Sequence, residues 1–523
     1  MLLKVVLTLA FLALMVGVGV YSRRHSGSVD GFVLGGRNVG AWLTAFAYGT
    51  SYFSAVVFVG YAGQFGWKYG LSSTWIGIGN AVVGTALAWK VLARRTRLMT
   101  RHIESRTMPD FFGTRFDSDN LRIAASIIAF VFLIPYTAGV YMGISKLFET
   151  GFGVPYIWCA WTMAILTAIY VILGGYKATA INDFIQGIVM LFGISAVIAV
   201  VLHSQGGLSA AVAKMAAVSP NADDLAHAGS STYAAFRDGD FASLFGPAPA
   251  SLLGVVILTS LGTWGLPQMV GKFYSITDEA AVRRGMVIST VFAVAVAGGC
   301  YFLGGFGRLF LDTAFDPAKG RFAFDSIIPA MLGANLPDAL MALVLLLVLS
   351  ASMSTLASLV LTSSSTMTLD LIYRDKKSTK DEVLEGKIDD TVAEKVERRK
   401  VVVMRVLIVF FIVLSLMIAL HPPHFIAQLM GISWGALAGA FLAPFVLSLY
   451  SRRVTKAAVW ASFAWGVGIT VVNMVLGNPV NPINCGAVAM LGGFVVVPAV
   501  SLVSKKPAKE HLDSIFACYA EKL

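Results

Sequence analysis

Apolar runs long enough to cross a membrane recur along the whole chain and constrain its fold more than any other feature. A helix needs roughly 20 apolar residues to cross a bilayer, and about thirteen such runs can be placed, numbered here as segments one to thirteen. They lie near residues 2–21, 40–63, 71–92, 121–144, 154–174, 180–202, 247–267, 286–307, 336–369, 402–420, 425–450, 457–476 and 483–503. Because 57% of the 523 residues are hydrophobic, a soluble globular protein is excluded. The sequence therefore predicts an all-α integral membrane protein, a single polytopic membrane domain over residues 1–523 with about thirteen transmembrane helices.

The distribution of positive charge predicts the orientation of the chain. If the N-terminus lies outside, most of the 40 Lys and Arg fall in inside loops, as the positive-inside rule requires. The outside would keep only Lys4, Lys68, Lys146, Lys214, Arg237, Arg308, Lys319 and Arg321. We therefore expect a multi-pass protein of the cytoplasmic (inner) membrane with the N-terminus outside and the C-terminus inside. The net charge of +11 then implies no nucleic-acid partner, and residues 374–400 form a charged cytoplasmic loop.

Two of the segments are interrupted, and they lie five segments apart. Segment two contains AYGTSYFSAVVFVGYAG (residues 47–63), which is rich in glycine and hydroxyl groups, and segment seven contains LGTWGLPQ (residues 261–268) with Pro267. Paired interrupted segments are typical of transporters built from inverted repeats around a site at the midplane. Repeat one would cover about 40–202 and repeat two about 247–450, with 2–21, 457–476 and 483–503 as peripheral helices. Glycine and proline are also common in ordinary membrane helices, where small residues allow close packing.

Hydroxyl groups and one carboxylate are the polar groups within the spans that could bind an ion. The stretch 345–371, at the end of segment nine, carries many serines and threonines, and hydroxyl and carbonyl oxygens suit a hard cation. Asp183 in segment six either caps the start of its helix or attracts a cation. The sequence shows no catalytic constellation, no nucleotide-binding loop and no metal-ligand cysteine spacing. These absences favour a secondary transporter that is not an enzyme and has no cofactor.

Six stretches in conserved order resemble the sodium/solute symporter family, especially its bacterial sodium/proline and sodium/pantothenate branches. They are LGGRNVG at 34–40, GTSYFSAVVFVGYAG at 49–63, TMPDFFGTRF at 107–116, LGGYKATAINDFIQG at 173–187, GLPQ at 265–268 and SMSTLAS at 352–358. The resemblance implies the inverted-repeat (5+5) fold of the amino-acid-transporter superfamily and alternating access. It also implies Na+ as the coupling ion.

The resemblance further implies which residues bind sodium. One ion would be held by the carbonyl oxygens of Thr50, Phe53 and Ala351 and by the hydroxyl groups of Ser354 and Thr355. A second cation, or an ion pathway, would use Asp183 and Ser358. Since Ala357 replaces a hydroxyl that the second site would use, one sodium ion is favoured over two.

The positions implied for the substrate depart from the proline branch. They are Tyr52, Ser54, Val56, Gly60, Thr259, Thr263 and Pro267. Tyr52 replaces an aspartate of that branch, Val56 replaces a tryptophan, and two threonines replace a tryptophan and a tyrosine, which favours a small organic acid such as pantothenate over proline. The expected function is sodium-coupled import of a small organic solute, either an organic acid or an amino-acid-like molecule. The alternatives are a sodium/proline-type symporter or a non-transporting membrane sensor, and the sequence leaves the substrate and the oligomeric state open.

Overall fold

Helices form almost the whole of the computed structural model, which describes residues 2–227, 233, 236–318, 320–333, 338–374, 389–421 and 426–522. The helices are α1 (Leu2–Ser22), α2 (Val29–Leu34), α3 (Ala41–Tyr52), α4 (Ala62–Tyr69), α5 (Thr74–Ala81), α6 (Arg94–His102), α7 (Met108–Arg115), α8 (Asp119–Phe152), α9 (Tyr156–Ser204), α10 (Leu208–Ala216), α11 (Ala222–His227), α12 (Pro249–Gly262), α13 (Pro267–Tyr274), α14 (Glu279–Ala293), α15 (Gly299–Gly304), α16 (Ile327–Gly333), α17 (Asp338–Thr366), α18 (Asp390–Leu420), α19 (Ile426–Tyr450), α20 (Lys456–Val475), α21 (Pro482–Val503) and α22 (Lys509–Phe516). Stretches of π-helix lie at Val56–Tyr61, Val82–Leu87, Trp89–Ala93, Val294–Gly298 and Met367–Ile372. A short hairpin pairs strand β1 (Phe315–Asp316) with strand β2 (Arg321–Phe322), with Phe315 opposite Phe322. The all-α prediction is confirmed.

The helices supply 11 candidate membrane spans among the described residues, which confirms the polytopic membrane prediction. Two of these candidates contain a pair of predicted segments. Val56–His102 turns at Gly70 (φ 60°), and Tyr156–Ser204 turns at Gly175 (φ 54°). A side chain at Gly175 would also meet the carbonyl oxygen of Phe32 at 2.8 Å, so only glycine fits this turn. The count of thirteen helices stays a prediction.

Both segments predicted to be interrupted are broken helices. The first is broken between α3 and Val56 and continues through the π-helix into α4; the second is broken between α12 and α13. The first break falls at residues 53–55, before Gly60 and Gly63 rather than at these glycines. The second break ends at Pro267, the first residue of α13, where a missing N–H costs least.

The buried centre of the molecule is formed by two of the spans. In the most apolar part of Ile426–Tyr450, 94% of the residues are buried, and in that of Ala339–Ile372 the share is 78%. In Lys4–Ser22 the share is only 28%. Helices buried on every side must satisfy their polar groups within the protein. The hydroxyl-rich α17 therefore lies where its oxygens can meet other helices.

Arginines mark one end of the bundle, which we name the basic end. Arg95 donates to the carbonyl of Leu449 at 3.0 Å, and Arg101 donates to the carbonyls of Arg37 and Ile276, each at 2.6 Å. The stretch TMPDFFGTRF at 107–116 also lies here and contains α7, whose start is capped by the Thr107 hydroxyl. Of the charged loop at 374–400, residues 390–400 belong to α18, and 375–388 lie outside the described residues.

A buried ion pair organises the opposite end. Arg308 lies 2.7 Å from Asp224, and both side chains are at least 98% buried. Arg308 also donates to the carbonyl of Trp67 at 2.7 Å, and the Trp67 indole donates to Asp224 at 2.9 Å. The cluster joins the long loop after α9 to the ends of α4 and α15, and it neutralises both buried charges.

Candidate functional site

The break in the first interrupted helix is stabilised by Ser54. The Ser54 hydroxyl accepts a hydrogen bond from the backbone N–H of Val56 at 3.2 Å, and its carbonyl accepts from Val57 at 3.0 Å and Phe58 at 3.1 Å. This is the geometry of an N-cap, which starts the second half of the helix. Ser54, predicted to contact substrate, thus has a clear structural task, and the carbonyls at the end of α3 are freed from regular helix hydrogen bonds.

Oxygens from the end of α3 and the middle of α17 converge at this break. The Ser354 hydroxyl donates to the Thr50 hydroxyl at 2.7 Å. The Thr355 hydroxyl lies 3.4 Å from the carbonyl oxygen of Thr50, 3.3 Å from that of Ser51 and 3.2 Å from that of Ala351. Thr50, Ser354 and Thr355 are fully buried. We name these oxygens the oxygen cluster.

The oxygen cluster has the chemistry of a site for a monovalent cation. A hydroxyl carries one proton, so Thr355 cannot satisfy three carbonyls with normal hydrogen bonds. The cluster therefore holds more acceptor oxygens than donor protons and is buried from solvent, and such neutral oxygens suit a monovalent cation. Four of the five predicted sodium ligands, Thr50, Ala351, Ser354 and Thr355, lie together here. The fifth, Phe53, lies at the break just after α3 with φ −105° and ψ 84°, and its carbonyl stays a predicted ligand.

Three of the predicted substrate residues meet beside the oxygen cluster. The Tyr52 hydroxyl donates to the carbonyl of Thr259, which links the two broken helices. The hydroxyl of Thr263 donates to the carbonyl of Gly84 at 3.2 Å, and that of Thr259 donates back within its own helix at 2.9 Å. The two threonine hydroxyls are thus engaged by backbone in this conformation, and their role toward a solute stays a prediction.

The other predicted substrate residues lie further apart. Val56 packs near Gly139 in α8, and a side chain at Gly60 would come within 2.8 Å of Ile426. Pro267 starts α13 and lines a cavity at the basic end. Gly60 is therefore a close helix contact in this conformation, whereas Pro267 lies beside the cavity.

Lys272 is a buried cation that the sequence prediction missed. Segment seven was predicted to end at residue 267, but the chain continues as α13 after the break and buries Lys272 to 3% exposure. Its ammonium donates to the Ser358 hydroxyl at 2.8 Å and lies 3.5 Å from Asp183. The Pro267 start signal followed by a single lysine among apolar residues could have revealed it.

The structure also corrects the capping interpretation of Asp183. Asp183 lies within α9, about two turns beyond Gly175, and is fully buried. It therefore does not cap the start of a helix. Neither carboxylate oxygen has a hydrogen-bond partner among the described residues, although the charge of Lys272 is near. Asp183 and Ser358, the predicted second cation site, are thus brought together, with a lysine between them.

A polar side chain and a narrow cavity complete the site. Both amide atoms of Gln268, 2% exposed, lack a partner among the described residues. Gln268 belongs to the GLPQ stretch at 265–268 but was not among the predicted site residues. Gln268, Lys272 and Ser358 line a cavity of about 40 Å³ that opens toward Arg106 and Thr107 at the basic end. This volume holds only a few water molecules, at about 10–15 Å³ each.

Comparison with known families identifies the chain. The family model of the Sodium:solute symporter family (SSF) matches residues 32–466, well over half of the chain. The chain belongs to the sodium:solute symporter family. The resemblance read from the sequence is confirmed, and the oxygen cluster lies within the matched residues.

Curated relatives of this family member cover nearly its whole length. It is 28% identical over 480 residues to the sodium/pantothenate symporter of Escherichia coli, covering 89% of each chain. It is 26% identical over 521 residues to the osmoregulated proline transporter OpuE of Bacillus subtilis, covering 95% of this chain and 94% of the relative. These organisms and activities belong to the two relatives, which are named as transporters and not as enzymes.

Solved structures establish the fold of this family member. A Na+-coupled sialic acid symporter in a substrate-bound outward-open state superposes with a TM-score of 0.73 at 15% identity, over 97% of this chain and 99% of that chain. Mhp1, a nucleobase-cation-symport-1 family transporter, superposes with a TM-score of 0.50 at 13% identity, over 92% and 97%. The predicted inverted-repeat transporter fold is confirmed; the exact repeat boundaries stay a prediction.

Proposed function

We propose that the chain imports a small organic solute across the cytoplasmic membrane by alternating access, driven by sodium entry. The observation that carries this proposal is the oxygen cluster between the broken end of α3 and the hydroxyls of α17. It supplies neutral oxygens from two helices at a helix break, which is the arrangement that couples an ion to the relative movement of two helices. Family membership supports the same function.

One sodium ion carries enough energy for useful accumulation. One charge crossing about 100 mV releases roughly 2.3 kcal/mol. A tenfold sodium gradient adds about 1.4 kcal/mol, and the sum of roughly 3.7 kcal/mol corresponds to about 500-fold accumulation of a neutral solute. A single coupled ion is therefore sufficient for import from a dilute environment.

The solute is proposed to be an organic acid or an amino-acid-like molecule. The relatives described above are named for proline and pantothenate, which both carry a carboxylate. Gln268 offers an amide donor and acceptor without partners, and such groups are costly unless a ligand or water satisfies them. Tyr52, a residue implied for the substrate, adds an aromatic ring that lies 6.3 Å from the ring of Trp434. A compact solute with a carboxylate and a hydrogen-bond donor matches these groups.

Uptake by purified protein in liposomes tests the function. Labelled proline, pantothenate and a panel of other small carboxylates would be offered with an inward sodium gradient, with an equal potassium gradient, and with no gradient. We expect one solute to accumulate only with sodium. Sodium-independent uptake of that solute would contradict the proposed coupling. Sodium binding without uptake of any panel member would instead favour the non-transporting sensor.

We further propose that the basic end faces the cytoplasm. The arginines of α6 lie there, and Arg452 and Arg453 follow just after the end of α19, as the positive-inside rule requires. A cysteine at Lys506, which is exposed near the C-terminus, should react with a membrane-impermeant maleimide only after cells are opened. A cysteine at exposed Asp238 should react in intact cells, and Cys159, Cys300 and Cys485 are buried. The reverse labelling pattern would invert the topology.

A further inference from the structure

Lys272 lies between the two residues predicted to form a second cation site. Its ammonium is 2.8 Å from the Ser358 hydroxyl of α17 and 3.5 Å from the Asp183 carboxylate of α9. The Ser358 hydroxyl is in turn 2.8 Å from the Ser51 hydroxyl of α3. Three helices thus direct oxygen-bearing side chains at one point, and a fourth, α13, supplies the positive charge.

Lys272 compensates the charge of the Asp183 carboxylate but does not satisfy its hydrogen-bonding capacity. Charge-assisted hydrogen bonds are typically about 2.7–2.9 Å long, shorter than the 3.5 Å between Lys272 and Asp183. The lysine and aspartate side chains are 3% and 1% exposed, so bulk water does not neutralise either charge. Asp183 therefore requires a cation beside it, and Lys272 is the cation that the chain itself provides.

We propose that Lys272 is a tethered cation that takes the place of a second sodium ion at Asp183 and Ser358, which restricts this transporter to one coupled sodium ion. The inference rests on the proposed sodium symport and adds the number of ions to it. An ammonium and a sodium ion carry the same charge and both attract hydroxyl and carboxylate oxygens. Since the tether keeps the ammonium on α13, its charge stays with the protein instead of crossing the membrane with the solute.

Removal of the tethered charge should expose the second sodium site. In Lys272→Met, Asp183 would be a buried charge without compensation, which is strongly destabilising. We expect this variant to lose thermal stability in sodium-free choline buffer and to regain it as sodium is added. Direct binding of radioactive sodium should rise from one ion per wild-type protein to two ions per variant, with a corresponding increase in the Hill coefficient.

Two further variants separate this role from a structural one. Asp183→Asn/Lys272→Met removes both charges, so it should be stable without sodium and bind a single ion. Lys400→Met is the matched control, because Lys400 is also buried, at 4% exposure, but lies 3.9 Å from Glu397 near the start of α18. It should keep the wild-type sodium stoichiometry.

Each outcome decides the matter. The proposal is wrong if the Lys272→Met variant binds one sodium ion with wild-type affinity. It is also wrong if this variant loses solute uptake while its sodium stoichiometry stays unchanged, because Lys272 would then bind the solute carboxylate. If Lys272→Met fails to fold at every sodium concentration while the double variant folds, sodium cannot replace the lysine and the proposal is wrong. Failure of sodium symport itself would appear separately, as absence of sodium binding by the wild-type protein.

Discussion

Thr355 carries one hydroxyl proton, yet three backbone carbonyls of two helices lie within 3.4 Å of its oxygen. Ser352, three residues earlier in α17, is equally buried but donates at 2.7 Å to Val348 in its own helix. The second arrangement is the usual one for hydroxyls in membrane helices. At the residue scale, an ion site therefore differs from ordinary back-bonding by an excess of acceptor oxygens over donor protons.

The first prediction concerns the hydroxyl ligands. Ser354→Ala and Thr355→Ala should each raise the sodium concentration for half-maximal uptake by tenfold or more if a ligand contributes about 1.4 kcal/mol. Ser352→Ala is the matched control on the same helix and should leave the sodium dependence unchanged. The measurement is uptake by proteoliposomes across a sodium titration. Normal sodium dependence in both ligand variants, at normal expression, would remove the proposed site.

A second prediction at this scale concerns Gln268. Its amide is buried without partners among the described residues, which costs stability but leaves donor and acceptor groups for a solute. Gln268→Met should therefore weaken solute affinity by roughly tenfold, the effect of losing about 1.4 kcal/mol, while thermal stability holds or rises. Binding of the identified solute and melting temperature would be measured on both proteins. A variant with full solute affinity, or with sodium affinity reduced equally, would contradict this role.

At the scale of elements, the broken helix is held by contacts between backbones. A side chain at Gly66 in α4 would lie 1.9 Å from the carbonyl oxygen of Gly304 in α15. Small residues permit this approach in membranes, and it fixes the second half of the broken helix against its neighbour. Ser54 starts that half by capping. The half-helix that follows the break is thus positioned by the cap at Ser54 and by the close crossing of α4 and α15.

The close crossing leads to a third prediction. Gly66→Ala should separate α4 from α15, because a backbone oxygen cannot move aside as a side chain can, and should strongly reduce both melting temperature and uptake. Gly17→Ala in α1 is the control, since no atom lies within 4 Å of the added carbon, and alanine at an exposed helix position is otherwise favoured over glycine by about 1 kcal/mol. Equal stability of the two variants would show that the crossing tolerates separation.

At the scale of the whole molecule, charges gather at the two ends of the bundle and are compensated differently. The basic end uses arginines that donate to carbonyls, as Arg97 does to Ile276 at 3.1 Å. The opposite end buries its charges, as in the pair of Arg308 and Asp224. Asp325, before the short helix α16 at that end, accepts from the N–H of Ile426 at 3.3 Å. Burial raises the pKa of Asp325 to about 6.

The fourth prediction follows from this shift. The folded pKa of about 6 exceeds the model-compound value of 3.8, so the folded protein holds the proton more tightly than the unfolded chain. Stability should be highest below pH 3.8 for this group and should fall as the pH rises to about 6, by on the order of 3 kcal/mol. Asp325→Asn should lack this loss and be more stable than wild type at pH 7. Parallel melting curves for both proteins across this pH range would show no difference if the carboxyl were normally solvated.

Several features were predictable from the sequence because they depend on local composition. Long apolar runs, interrupted segments two and seven, and the hydroxyl density of segment nine follow directly from residue order. Motif resemblance then led to Thr50, Ala351, Ser354 and Thr355, and the structure brings these residues together. The sequence and the structure therefore agree that the hydroxyl-rich α17 lies against the broken end of α3.

The tertiary structure decided what depends on neighbours across helices. The break falls at residues 53–55 because Ser54 caps the following half-helix, while Gly60 serves packing. Lys272, expected to lie beyond the end of segment seven, became a buried cation because the chain resumes helix at Pro267 and directs it at Asp183. When a helix is apolar on every face, its sequence has no periodicity of apolar residues, so the sequence does not show which face packs against which helix. Sequence composition therefore determined that this chain spans the membrane and carries hydroxyl and charged groups within its spans, and only packing determined which of those groups meet.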